Sequence, residues 1–207
     1  MTIQELYNTI GNNKDGRINL QNAIKVFEAN EDFILNTDIY SNEENYLFTT
    51  LFLSQYGQAL HNKDRYSKAL PFLNRAISLW EHSPDFEDIE LRNNWYRGLR
   101  FNRGVANYRK KNYVKAKDDF IWLANQDPEN ELYRNWLISA KNERIGSLAN
   151  WVMYIGLIAL GTEMLLPKKE HAIKAPILIF IGVAYIACAI LKILQWYRNR
   201  QMKAKNS

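Results

Sequence analysis

Apolar residues recur at helical spacing from the start of the chain. Ile3, Leu6, Tyr7 and Ile10 mark one helix over 3–12, and Leu20, Ala23, Ile24 and Phe27 mark another over 19–35, with the turn-forming run from Asn12 to Gly16 between them. After a short linker at 36–41, Ser41 and Glu44 stand as a capping box for a helix reaching about residue 62. Helices over 66–81, 84–110 and 113–126 follow. Ser83 and Pro84 open the longer one as N-cap and first helical position, with Asp85 and Glu87 in its first turn. A last amphipathic helix, 129–145, carries the narrow stripe Leu132, Trp136, Leu137 and Ala140. The pattern predicts an all-α fold.

The helices repeat. Gly104, Ala106, Tyr113, Ala116, Phe120 and Pro128 pair two small residues on a first helix with a turn aromatic, then a small residue, a packing Phe and a closing Pro on a second. Gly57, Tyr66, Ala69, Leu73 and Ala76 reproduce the spacing, and Gly11, Leu20, Ala23 and Phe27 do so more weakly. On these residues the chain resembles the tetratricopeptide repeat (TPR) family. The glycines lie 46 and 47 residues apart, against a period of about 34 for that family, so the first helices are expected to be long. The resemblance implies an antiparallel stack over 1–146: a degenerate repeat at 3–35 or, alternatively, an N-terminal cap, then repeats at about 42–81 and 84–128, and a capping helix at 129–145.

Beyond residue 146 the pattern is continuous instead of periodic. Residues 148–166 are uncharged before Glu163, and residues 175–196 hold one charge, Lys192. Each run is near the ~20 apolar residues that cross a bilayer, and residues 167–174 allow only a tight turn between them. The prediction is a transmembrane helical hairpin over 147–197, with a basic tail at 198–207. Trp151, Tyr154, Trp196 and Tyr197 would sit at one interface. Lys141, Arg144, Arg198, Arg200, Lys203 and Lys205 flank that side, and Lys168, Lys169 and Lys174 the other. The bias puts the N-terminal domain and the tail in the cytoplasm. If the runs were instead core helices of a soluble domain, no amphipathic sequence would remain to cover them.

Charge sharpens the division. Residues 1–146 carry 19 Lys+Arg against 20 Asp+Glu, and residues 147–207 carry 8 against 2, so the net +5 belongs to the C-terminal part. Cys188 is the one cysteine, so no intrachain disulfide forms, and the N-terminus lacks the basic start and apolar core of a signal peptide. His61, His82 and His171 have no metal-ligand spacing, and neither a phosphate-binding Gly-rich loop nor a nucleophile motif occurs. An enzyme is not expected, nor a metal or cofactor.

Two features remain as candidate chemistry. Glu163, the acid within the first apolar run, reads either as an interfacial carboxylate paired with a loop lysine or as part of an ion or proton pathway. Residues 91–117 hold nine basic residues and no acid. On a helix, Arg92, Arg97, Arg100 and Arg103 share an arc of about 140° between two apolar stripes. Arg100, Arg103 and Asn107 occupy positions where the family places packing residues. The preceding acids, Glu81, Asp85, Glu87, Asp88 and Glu90, could neutralise this strip; otherwise it binds an acidic peptide, a C-terminal carboxylate or anionic lipid. The domain lacks the broad basic footprint that nucleic acid requires. By resemblance, the groove formed by first helices presents Gln55, Gln58, His61 and Asn62 from one repeat and Asn102 and Arg109 from the next. The expected function is a membrane-anchored adaptor holding a protein partner at the cytoplasmic face through these groups with Arg97, Arg100 and Arg103. The alternative is a subunit of a channel, transporter or membrane-remodelling assembly in which the hairpin is the working part.

Overall fold

The computed structural model describes residues 1–11, 18–82, 89–165, 179, 182–183, 185–194 and 196–197, without the side chains at 89–92, 144–145, 148–149, 159–160 and 162–165. Apart from a single-residue bridge assignment at Ile18, the regular structure among them is α-helical. The helices are α1 (Ile3–Asn8), α2 (Leu20–Ala29), α3 (Glu31–Asn36), α4 (Glu43–Asn62), α5 (Tyr66–Glu81), α6 (Ile89–Arg109), α7 (Tyr113–Gln126) and α8 (Glu131–Leu165). The chain divides into two compact units, Met1–Leu137 and Ile138–Ser207.

In the first unit, α4 is the central element, packing against α1, α2, α3, α5 and α6, while α6 packs against α4, α5 and α7. The close approach comes from two glycines. A Cβ at Gly57 would lie 2.9 Å from Leu73 Cδ2, and one at Gly104 would lie 2.8 Å from Phe120 Cε1. A methyl group at either position requires the buried Leu73 or Phe120 side chain to shift. Ala69, Ala116, Leu73 and Phe120 are fully buried beneath them.

The backbone repeats with the same period. Both α4 and α6 end in a left-handed residue, Asp64 (φ 56°) and Lys111 (φ 63°), seven positions after their glycines. In each, the following N–H returns to a carbonyl five residues back, Arg65 to Leu60 at 2.9 Å and Asn112 to Asn107 at 2.8 Å, which satisfies an otherwise open helix terminus. The two repeats are therefore matched residue for residue at an offset of 47. At 20 and 21 residues, α4 and α6 are the long first helices that the period requires.

Several expected details differ. The helix expected over 19–35 breaks at Asn30 (φ −132°, ψ 24°), whose carboxamide donates to the Val26 carbonyl at 2.8 Å, closing α2 locally before Glu31 and Asp32 open α3. The cap of α4 is Asn42, which accepts from the Asn45 N–H at 2.8 Å. Ser41 instead donates to the Asp38 carbonyl in the preceding turn. Gly11 is not a contact glycine: its φ is +67° and a Cβ there would meet nothing within 4 Å, so it ends the first helical segment through backbone conformation. Ser83 and Pro84 lie outside the described residues.

The final amphipathic stretch covers the second repeat through Trp136, which stacks on Phe120 at 5.5 Å and meets Tyr108 edge-on at 5.2 Å. Leu132, expected in that stripe, is exposed. The helix does not stop near residue 145 but is assigned to Leu165. Among the described residues no helix is long and apolar enough to cross a membrane, so the expected hairpin is not supported there. The first expected span lies in α8 up to Leu165; the turn at 167–174, parts of the second span and the tail at 198–207 fall outside the described residues. Among the described residues, exposed large apolar side chains are nevertheless concentrated in the second unit, 14 against 5 in the first, among them Trp151, Ile158, Ile179 and Ile186.

Candidate functional site

A groove runs between the two long helices α4 and α6. It has a volume of about 320 Å³ and is lined by Gln58 from α4 and by Asn94, Trp95, Gly98 and Leu99 from α6. Gly98 leaves it open, since a Cβ there would meet no atom within 4 Å. Leu99 is buried and Trp95 half-buried, giving an apolar floor. The carboxamides of Gln58 and Asn94 each offer both donor and acceptor.

The residues expected to face a partner are distributed unevenly around it. Gln58 lines the groove. Gln55 does not reach solvent: it is 2% exposed, and the nearby Tyr7 phenol has its pKa pushed up by burial. Asn102 is also buried. His61 and Arg109 come together near the ends of α4 and α6, with Asn62 and Tyr66 beside His61. The His61 ring is edge-on to Tyr66 at 5.4 Å, and its Nδ1 lies 3.3 Å from Asn62 Oδ1. Its Nε2 is enclosed and has no hydrogen-bond partner among the described residues. Burial pushes the imidazole pKa down and Arg109 adds to this, while Asn62 and Asp64 oppose it. Arg97 is half-buried and makes no ion pair among the described residues. Glu163 belongs to α8 by its backbone, and its side chain lies outside the described residues.

Arg100 and Arg103 are engaged within the protein. Both reach Asp119 of α7, which is 2% exposed: Arg103 donates from Nη2 at 2.6 Å and Nε at 2.9 Å, and Arg100 from Nη1 at 3.3 Å. Arg100 also donates to Glu81 at 2.8 Å and to the Tyr96 hydroxyl at 2.7 Å, and lies over the Trp122 ring at 5.0 Å. Burial raises the Glu81 carboxyl pKa, but the Tyr96 hydroxyl and the Arg100 charge outweigh it and hold the group below the usual carboxylate range. Burial likewise works against the Arg100 charge, and Tyr96, Asp119 and Glu81 more than offset it. Of the preceding acids, Glu81 takes part in this compensation; Asp85, Glu87, Asp88 and Glu90 lie outside the described residues or side chains.

Asp119, the centre of this network, was not among the expected site residues, although the offset of 47 exposes it. Phe27, Tyr56 and Phe72 of the preceding junction form an aromatic cluster, with Phe27 stacked on Tyr56 at 3.9 Å and Tyr56 edge-on to Phe72 at 4.7 Å. Their counterparts are Asn74, Arg103 and Asp119, and Arg103 reaches Asn74 Oδ1 at 3.4 Å. Buried Leu60 is likewise replaced by buried Asn107. One junction is apolar and the next, built on the same backbone, is polar.

Comparison with known proteins finds no matching family model, no matching curated protein and no matching solved structure. No group of residues suited to hold a metal ion occurs among the described residues.

Proposed function

We propose that this chain is a non-enzymatic adaptor of tetratricopeptide-like architecture that holds an extended segment of a protein partner in the groove between α4 and α6. The observation that carries the reading is the groove itself: a cleft of about 320 Å³ between two first helices, open at Gly98 and edged by Gln58 and Asn94. Carboxamides suit a polypeptide backbone because each can donate to a carbonyl and accept from an N–H without demanding charge. Trp95 offers a rigid aromatic surface of the kind that anchors interfaces. Since Arg100 and Arg103 are neutralised by Asp119 and Glu81, of the four expected arginines Arg97 and Arg109 remain to read acidic character in the partner.

Membrane attachment through residues 147–197 is the second part of the proposal. It is supported by the two long apolar runs in the sequence and by the exposed aromatic and aliphatic side chains among the described residues between Trp151 and Tyr197, since clustered exposed apolar residues mark interaction surfaces. The basic residues flanking those runs support a cytoplasmic first unit.

The test fills the groove. Gly98→Leu projects a side chain into open space and should leave the helix content unchanged. Membranes carrying the wild-type chain with a photo-crosslinking residue at Asn94 are expected to yield a discrete adduct that Gly98→Leu abolishes. An adduct of equal yield from both would refute the groove. Recovery of the chain in the supernatant after alkaline extraction of membranes would refute the anchor.

A further inference from the structure

A second pocket lies between α5, α6 and α7. It measures about 360 Å³ and shares no lining residue with the groove, and its size is that of a small-molecule site. Its wall includes Arg103, Asn107, Asn112, Lys115 and two carboxylates, Asp118 and Asp119. Three observations bear on what it holds.

The first is a carboxamide on an otherwise buried residue, which opens on the pocket and has no protein partner there. Asn107 is 4% exposed, and its side chain makes no hydrogen bond among the described residues, while Leu60, its counterpart in the preceding repeat, is fully enclosed by core. Placing an amide where a leucine packs is unfavourable unless something bonds to it. The second is the start of α7. Its N-cap, Asn112, makes no side-chain capping bond, and its first turn contains no acid but does contain Lys115. The positive end of the helix dipole therefore meets a further cation, an arrangement that favours a bound anion.

The third is the preceding junction, which carries the internal equivalent of such a ligand. There Lys68 donates to the Glu28 carboxylate at 2.9 Å, and the Tyr56 hydroxyl donates to the same oxygen at 3.1 Å. At the offset of 47, Lys68 becomes Lys115, Tyr56 becomes Arg103 and Glu28 becomes Arg75. The carboxylate-binding cation is retained and the chain's own carboxylate is replaced by a base. Lys115 makes no ion pair among the described residues.

We propose that the α5–α6–α7 pocket binds a small carboxylic acid carrying a second polar group. Its carboxylate sits at Lys115 and the N-terminus of α7, in the role that Glu28 plays at Lys68, and its second polar group bonds the Asn107 carboxamide. Asp119 remains committed to Arg103 and Arg100, and Asp118 lies 3.8 Å from Lys117, so the ligand meets Lys115 as a cation with no ion pair among the described residues.

The experiment uses the full chain in detergent, titrated calorimetrically with L-malate, L-asparagine and inorganic phosphate, alongside Lys115→Met and Asn107→Leu. At least one of the two carboxylates is expected to bind saturably, with affinity reduced about tenfold or more in each variant. Neither substitution should lower the unliganded Tm, because Lys115 is exposed and Asn107→Leu restores the residue of the preceding repeat. Absence of saturable binding by both carboxylates overturns the proposal, as does binding that both variants retain. Tighter binding of phosphate than of either acid overturns the assignment of ligand class.

Discussion

Replacing Asp119 isolates the cost of the polar junction. In Asp119→Ala, the Arg103 guanidinium loses bonds at 2.6 and 2.9 Å and Arg100 loses one at 3.3 Å. Removing one partner of a buried pair costs about 3–5 kcal/mol. The Arg100 and Arg103 side chains are 16% and 20% exposed and Arg100 keeps Glu81 and Tyr96, so the lower end applies, about 3 kcal/mol. For a unit of this size that lowers the Tm by roughly 10 °C, measurable by circular dichroism at 222 nm. The double replacement Arg103→Tyr with Asp119→Phe installs the counterparts Tyr56 and Phe72. Because exchanging a buried ion pair for apolar groups is commonly neutral or stabilising by about 1–4 kcal/mol, the double variant should unfold at or above the wild-type temperature. A loss below about 1 kcal/mol in the single variant, set against the range for exposed pairs, would show that Asp119 is effectively solvated. A double variant no more stable than Asp119→Ala would show that the two junctions are not interchangeable.

Three further outcomes follow from the packing and electrostatics. Gly104→Ala should lower stability by about 1–3 kcal/mol through the clash with Phe120, whereas Gly98→Ala, with nothing within 4 Å, should raise it by about 1 kcal/mol through helix propensity; paired denaturant titrations distinguish them. Trp136→Ala strips the aromatic cover from Phe120 and Tyr108 and should cost about 3 kcal/mol, seen as a fall in Tm without loss of secondary structure below the transition. His61 is held neutral by burial, so its pKa lies below the ordinary 6.5. The unfolded chain takes up the proton first, so the stability from this group is complete above about pH 6.5 and declines as pH falls toward the folded value. His61→Phe should therefore show a smaller Tm difference than wild type between pH 7.5 and 5.5, and an unchanged difference would refute the assignment.

The helices and the contact glycines were legible because they rest on local signals. Gly57 and Gly104 announce close approach by the absence of a Cβ among otherwise bulky neighbours, and Leu73 and Phe120 meet them as the spacing requires. The break at Asn30 was hidden, because an asparagine within a periodic stretch can face water or turn back on its own backbone, and only its bond to the Val26 carbonyl decides between these. The fate of the arginines was hidden for a different reason. A helical wheel locates Arg100 and Arg103 on one arc, but it cannot show that Asp119 arrives from another helix to meet them. That information lay in the repeat, where Asp119 stands in register with Phe72 and Arg103 with Tyr56. Within a repeat array, an apolar junction and a polar one on the same backbone differ by several buried polar groups, each carrying a desolvation penalty. Departures from the locally stable choice are expected chiefly at functional sites. Part of the role here is internal at Asp119, which ties α6 to α7. At Asn107 and Lys115 no internal partner exists among the described residues, and the same reasoning assigns them to a ligand.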